Sequence, residues 1–458
     1  MSSTSILFLF LFLFPLSSLS HLFSPPDNYL INCGSSAPST LVDYRHFAGD
    51  ISSALSPSPS PSHSAVSLAD QNPVPGSSPI YHTARVFTSP ATYSFPISHQ
   101  GTHILRLHFH PFHSPNLRLS QAQFHVLANG YVVFSRLQTL YHPNPTILEY
   151  LIWVEADKLD IVFVPNKHSK LAFVNAIEVI SAPKDLVPPT AHYLTSGNFE
   201  PLNKHALQLV YRLTVGGVKV TPFNDSLWRT WIPDDDFFTP TVASEKLYFG
   251  GRIKYRFGGA SREVGPDNVY NSARLIRSKN DSVPNVNMTW QFPVVGGYKY
   301  LVRLHFCDIA SISLGLLYFN VYVNGQLALE DLDLSYITNS LASPFYSDFV
   351  VDGGDGVLSV AVGPSKRSMA HVIDGILNAV EVMKLNNSYS SLDGDVCADF
   401  VIKTWSTGKY TGMLFSLVAA VCIVLSLSIV IRRRLIGSRE SVSWSRLPVN
   451  LSDNGVKN

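Results

Sequence analysis

Ile104-Leu105-Arg106-Leu107-His108-Phe109, followed by Phe124-His125-Val126-Leu127-Ala128-Asn129-Gly130, decides the reading of this chain because it occurs twice. The second copy is Leu301-Val302-Arg303-Leu304-His305-Phe306, followed by Phe319-Asn320-Val321-Tyr322-Val323-Asn324-Gly325. Apolar residues alternate in each, the pattern of a half-buried strand. Each copy then reaches Asn-Gly, whose positive φ angles suit a type I′ hairpin turn. The match extends outward. Tyr81-His82-Thr83-Ala84-Arg85 answers Tyr270-Asn271-Ser272-Ala273-Arg274, and Asn175-Ala176-Ile177-Glu178-Val179 answers Asn378-Ala379-Val380-Glu381-Val382. Four matches in one order at nearly constant offset predict duplication of a whole domain. Arg106 should superpose on Arg303, Asn129 on Asn324 and Asn175 on Asn378, with Leu107 and Leu304 pointing inward.

Between Pro79 and Ile180, short strand patterns recur with Pro, Gly and Asn between them, and no long amphipathic helix competes. The fold class is therefore all-β, two tandem β-sandwiches. Residues 21–182 form the first domain, 183–191 a linker stiffened by Pro183, Pro188 and Pro189, and 192–384 the second domain. Ile31-Asn32-Cys33-Gly34 opens the first domain and Leu213-Thr214-Val215-Gly216-Gly217 the second, so Val215 stands where Cys33 does. The Ser-Pro run from Ser56 to Ser62 cannot build a core and reads as a solvated insert.

Two apolar runs lie outside these domains. Residues 1–20 read as a secretory signal peptide around the Ile6 to Leu16 run. Met413 to Ile431 carries no charge and is long enough to cross a bilayer; Arg432-Arg433-Arg434 follows at once. The expected topology is single-pass type I in the plasma membrane, with 385–412 as an extracellular stalk and 432–458 as a short cytoplasmic tail. That tail is basic and suits anionic lipid; nothing in the chain points to nucleic acid. Charged residues are only 15% and the formal net charge is +1, so overall charge selects no partner.

Asn224, Asn280, Asn287 and Asn386 each open an Asn-x-Ser/Thr sequon in the extracellular part and are the expected glycosylation sites. His108, His110 and His113 form the densest histidine cluster; lacking a nearby Cys, Asp or Glu, it reads as the surface face of a strand and not as a zinc site. Asp234-Asp235-Asp236 lacks the spacing of a calcium loop and reads as a solvated loop held by Trp228 and Trp231. Of the cysteines, Cys422 falls in the apolar span. Cys33, Cys307 and Cys397 allow at most one bridge, and buried free thiols at Cys33 and Cys307 are the preferred reading. No Gly-x-Ser-x-Gly or His-Glu-x-x-His motif is present, which leaves open only a hydrolase whose two carboxylates meet by folding, and Glu178 and Glu381 read as paired structural residues on apolar strands. Tyr81 and Tyr270 are as consistent with core as with a sugar cleft. No catalytic, cofactor-binding or metal residue is assigned.

These motifs, with Leu227-Trp228-Arg229-Thr230-Trp231-Ile232-Pro233-Asp234-Asp235 and Asp374-Gly375-Ile376-Leu377-Asn378-Ala379-Val380-Glu381, resemble the tandem malectin-like ectodomain of plant receptor kinases of the FERONIA and THESEUS group over about Tyr29 to Lys384. The resemblance implies two malectin-like sandwiches at the cell surface that sense cell-wall glycans or secreted alkalinisation-factor peptides, with a lipid-anchored co-receptor or a full-length receptor kinase as partner. These 458 residues contain no kinase glycine-rich loop, His-Arg-Asp loop or Asp-Phe-Gly. The expectation is a receptor-like protein without its own kinase and not an enzyme; the alternative is a membrane protein that holds wall carbohydrate without signalling.

Overall fold

The computed structural model describes residues 23–51, 58–59, 65–136, 144–195, 197–241, 243–256, 258–277, 286–369 and 371–437. The expected signal peptide, most of the Ser-Pro insert, Asn280 and the end of the tail lie outside them. The chain divides into a compact unit ending at Val401 and a second beginning at Ile402.

Seven strands organise the first unit: β1 (Gly101–Phe109), β2 (Thr146–Val154), β3 (Ala176–Ser181), β4 (Leu207–Thr214), β5 (Lys299–Cys307), β6 (Pro344–Asp352) and β7 (Ala379–Leu385). They lie side by side in the order β6-β5-β7-β4-β2-β1-β3, inside a sheet of thirteen strands that runs through both domains. The domains therefore share one sheet. Its seam is narrow: β2 pairs with β4 only at Tyr150 with Gln208 and Leu151 with Leu207.

A separate five-stranded sheet covers each half of the shared sheet and completes two sandwiches. Leu105, Leu107 and Phe109 pack into the first core with Phe95, Phe124 and Phe163. Val302, Leu304 and Phe306 pack into the second with Trp290, Phe292 and Phe319. Leu107 and Leu304 both point inward, as the duplication predicts. The Asn-Gly turns are present, with Asn129 at φ +43 and Asn324 at φ +50. Each asparagine side chain also accepts a hydrogen bond from the next strand, Asn129 from the Asp160 N–H (2.8 Å) and Asn324 from the Ser359 N–H (3.0 Å). Asn175 separates the strand Ala172–Val174 from β3, because its side chain takes the His110 N–H (2.6 Å) and binds the Thr83 carbonyl (2.8 Å). Asn378 does the same with Cys307 (2.6 Å) and Ser272 (2.9 Å).

The expectation of half-buried strands is corrected. Ile104, Arg106 and His108 face away from the first core yet are 0–3% exposed. A third apolar cluster, which includes Ile104, Leu151, Leu186, Leu227, Leu301 and Met383, covers this second face of the shared sheet. Leu227 arrives from the second domain, and Leu186 and Val187 from the connector, so the linker is part of the core.

The segment after β7, expected as the start of a stalk, turns back onto the first domain. Val132 donates to the Ser390 carbonyl (3.0 Å), Leu392 donates to the Val132 carbonyl (2.8 Å), and the Ser135 N–H donates to the Asp393 carboxylate (2.8 Å). Leu392 is fully buried in the first core. Removing the carboxylate with Asp393→Ala is expected to cost about 1 kcal/mol, the usual worth of one hydrogen bond. It should also speed amide exchange at Ser135 and Leu392; unchanged exchange there would show that Asp393 does not hold this segment.

The helix α1 (Ala398–Gly437) begins well before Met413, so its first turns occupy residues expected in the stalk. Ser416–Leu435 is long and apolar enough to cross a membrane and is wholly unburied. Twenty residues at ~1.5 Å rise give roughly the 30 Å of a hydrocarbon core.

Candidate functional site

Each of the seven central strands contributes one buried charged residue to a ladder across the shared sheet. Arg303 on β5 lies opposite Asp348 on β6 and Glu381 on β7. Arg106 on β1 lies opposite Glu149 on β2 and Glu178 on β3. The geometry is that of close ion pairs. Arg303 binds Asp348 through two nitrogens (2.7 Å each). Arg106 binds Glu149 (2.6 Å) and Glu178 (2.8 Å). Arg212 on β4 crosses the seam, with Nε on Glu381 (2.6 Å) and Nη2 on Glu149 (2.7 Å). Arg45 closes the far end on Glu178 (2.7 Å). Signs alternate from Arg45 to Asp348, and every member is at most 9% exposed.

Burial opposes charge on Glu149, Glu178 and Glu381, and their paired neighbours reverse the effect. Burial alone would raise Glu149, but Arg106 and Arg212 hold it down at about 2. Glu178 and Glu381 are held well below the ordinary carboxylate value by their arginines and histidines. The lowered pKa values fit carboxylates held ionised in pairs. Glu178 and Glu381 are paired structural residues, as the sequence reading has them.

A histidine and a tyrosine hang from each glutamate. The Tyr81 hydroxyl lies 3.0 Å from His108 Nδ1, and His108 Nε2 lies 2.9 Å from Glu178. Tyr270, His305 and Glu381 repeat this at 2.9 Å and 3.2 Å. An ionised glutamate accepts only, so Nε2 donates to it in each copy. Burial lowers the His305 pKa, so that ring is neutral and takes the Tyr270 hydroxyl at Nδ1. The surface reading of the histidine cluster is thus overturned at His108, which is 2% exposed, while His110 is half-buried and His113 exposed. Tyr81 and Tyr270 are core residues.

The solvated reading of Asp234 is overturned too. Asp234 is fully buried and accepts from Gly216 N–H (2.9 Å), Arg274 Nε (2.6 Å) and Trp290 Nε1 (2.8 Å). Asp50 does the same in the first domain with Gly34 N–H (2.7 Å), Arg85 Nε (3.0 Å) and the Tyr93 hydroxyl (2.7 Å). Gly34 and Gly216 are obligatory: both have positive φ, and an added Cβ would lie 2.3 Å from the Ala84 carbonyl oxygen or 2.2 Å from that of Ala273. Asp235 and Asp236 are exposed. Trp231 is buried beside Asp225, and Trp228 packs on the third cluster.

Among the described residues no group of three His, Cys, Asp or Glu is placed to hold a metal ion. Cys33 and Cys307 are buried free thiols, and burial pushes both pKa values up; Cys397 is also unpaired. Asn224 and Asn287 are exposed. Asn386 is half-buried, its carbonyl oxygen taking the Ala206 N–H (3.0 Å).

The ladder implies a pH dependence with a definite sign. Glu149, Glu178 and Glu381 have lowered folded pKa values, so their stabilisation is complete above the reference value of 4.5 and is lost as pH falls. His305, neutral when folded, adds the same sign from its reference value of 6.5 downward. Thermal unfolding followed against pH should show a midpoint that falls continuously on acidification from neutrality. A midpoint that rises below the carboxylate range would refute this assignment.

Surface clefts also occur among the described residues. One is lined by Tyr131, Trp153, Lys158, Asp160 and Lys204, with the Lys204 ammonium 4.7 Å from the Trp153 ring centroid. Another lies between the domains and is lined by Pro25, Asn28, Phe223, Trp228, Arg262 and Asp267.

Residues 31–385 match the model of the malectin-like domain. The receptor-like protein kinase THESEUS 1 of Arabidopsis thaliana is 38% identical over 400 residues, which is 86% of this chain and 46% of that one. The receptor-like protein kinase HERK 1 of the same plant is 33% identical over 449 residues, 96% of this chain and 52% of that one. The chain spans about half the length of these relatives. Among solved structures, FER in complex with the plant peptide RALF23 and LLG2 is similar at a TM-score of 0.69 and 31% identity, over 81% of this chain and 99% of that one. The extracellular domain of ANXUR1 from Arabidopsis thaliana gives a TM-score of 0.70 at 26% identity over 81% and 99%. A duplicated sandwich joined through one sheet, matched over its whole folded length, is the malectin-like ectodomain of plant receptor-like kinases, and this chain belongs to that family.

Proposed function

We propose that this chain supplies the ligand-sensing exterior and membrane span of a plasma-membrane receptor, and that its ligand is a small secreted peptide bound together with a lipid-anchored co-receptor. The observation that carries this is the likeness to FER as bound to RALF23 and LLG2, which extends over 99% of that chain and so takes in both sandwiches. The ladder supports it physically. Arg212 ties Glu149 of the first sandwich to Glu381 of the second, so the pair presents one preformed surface. A rigid surface loses little conformational freedom on binding.

The test is binding of a labelled alkalinisation-factor-type peptide to the full chain in detergent, with and without the co-receptor. Saturable binding strengthened by the co-receptor is the expected result; no binding in either condition would sink the reading.

The cleft at Tyr131 and Trp153 favours a second reading, in which wall carbohydrate is held directly. Aromatic faces beside Lys158, Asp160 and Lys204 are the groups a sugar needs. Displacement of bound peptide by excess wall oligosaccharide would place both ligands on one surface and favour the carbohydrate reading.

A further inference from the structure

Tyr44 and Phe223 meet across the two domains in the open. Their ring centroids are 6.0 Å apart, yet Tyr44 is 73% and Phe223 is 63% exposed, and Val42 on the same turn as Tyr44 is 99% exposed. Two exposed aromatic rings in contact form an apolar patch that a covering group would shield from water. Both supports are rigid. Tyr44 sits at φ +63, a costly conformation for a bulky residue. Its turn is held by the Leu41 N–H to Arg45 carbonyl bond (2.9 Å) and by Asp43 against Arg45, itself the end of the buried ladder. Phe223 lies in a short turn that ends at Asp225, whose buried carboxylate grips Arg229 Nε (2.9 Å) and Trp231 Nε1 (3.0 Å). The aromatic pair is therefore displayed by two anchored turns and does not simply trail in solvent.

The next residue after Phe223 is Asn224, which opens the sequon Asn224-Asp225-Ser226. Asn224 is exposed, and its side chain makes no hydrogen bond to a described residue. Asn386 differs, since its amide carbonyl is engaged by Ala206 and its nitrogen donates to the Asn387 carbonyl (3.1 Å). We infer that Asn224 carries an N-linked glycan whose inner sugars lie over Tyr44, Phe223 and Val42, covering the aromatic surface where the two domains meet.

The chemistry fits at each point. Attachment forms a bond from Asn224 Nδ2 to the anomeric carbon of a lipid-diphosphate-linked oligosaccharide. Nδ2 gives up one proton, and the lipid diphosphate leaves with the electron pair of the broken glycosyl bond. The C–H faces of pyranose rings are apolar and pack on aromatic faces, while their hydroxyls keep the surface wet. The acceptor lies one residue from Phe223, which brings the innermost sugars within reach of this surface. A protein partner would have to displace them. The glycan also stands at the mouth of the interdomain cleft, because Phe223 and Asn224 line it with Trp228 and Arg262.

The inference rests on the secretory topology proposed above, and the test separates the two. The full chain is purified from plant cells, and its glycopeptides are mapped by mass spectrometry. Oxidation of Tyr44 and Phe223 by hydroxyl radicals is then compared before and after enzymatic removal of glycans, and in Asn224→Gln and Ser226→Ala. Tyr248 and Tyr336, 74% and 87% exposed and far from any described part of this surface in sequence, serve as references. The expected result is a glycan on Asn224 and a gain of oxidation at Tyr44 and Phe223, not at the references, when it is removed by enzyme or by either substitution. Enzymatic removal acts on folded protein, so misfolding of a variant does not blur the result. A bare Asn224 beside a glycosylated Asn287 overturns this inference and leaves the topology standing. Bare asparagines at every sequon overturn both. A glycan on Asn224 whose removal leaves oxidation unchanged, or protection that depends on protein concentration, overturns the covering role and assigns the surface to another occupant.

Discussion

Glu149→Ala is expected to destabilise the paired sandwiches by about 3–5 kcal/mol, the cost of removing one partner from a buried ion pair. Glu149 is 8% exposed, and its two oxygens take Arg106 from the first domain and Arg212 from the second. Without it, two buried guanidiniums face each other at the seam, each left with a glutamate on its far side only. The backbone cannot compensate, because β2 and β4 share just two residue pairs. Denaturant unfolding should therefore show the loss in stability and also a split of one transition into two as the sandwiches uncouple. A loss no larger than that from breaking the exposed pair Lys158–Asp160 would show that the ladder does not hold the domains together. Adding Arg212→Leu to Glu149→Ala should recover part of the loss, since an apolar replacement leaves one fewer unpaired charge.

Leu107→Ala and Leu304→Ala are each expected to cost about 2–5 kcal/mol through lost transfer energy and the cavity left behind. Both leucines are fully buried at the same place in their own core, between the shared sheet and its covering sheet. Because the cores are separate, the two losses should add in the double variant. Equilibrium unfolding of the two singles and the double measures this directly. Strong non-additivity would mean that the cores communicate through the shared sheet more than their packing suggests.

The duplication was legible in the sequence by itself because it is carried by period-two alternation and by residues with fixed local roles. Leu105, Leu107 and Phe109 alternate because a strand side faces a core. Asn129-Gly130 and Asn324-Gly325 form turns that need positive φ whatever surrounds them. The apolar run after Met413 declares a helix for the same local reason. What the alternation could not show is what lies over the other face. Arg106, His108 and Arg303 read as polar residues facing water, yet Leu227 and the connector bury them. Only folding decides that, because the covering residues are far away in the chain. The ladder left a trace: charges interrupt the apolar runs at Glu149, Glu178, Arg212, Arg303, Asp348 and Glu381 as at Arg106. Charges in otherwise apolar strands rarely go inside unless paired. The pairing itself was out of reach. Arg212 stands where Leu30 does opposite the matching glutamate, and Arg45 reaches Glu178 from another turn, so comparing the copies could not predict the partners. Asp50 and Asp234 were hidden likewise, since their arginine, glycine and aromatic donors converge from separate strands. Local periodicity and turn chemistry determine the elements from neighbours along the chain; buried charge pairing is settled by groups brought together across the sheet, and that only the tertiary structure decided.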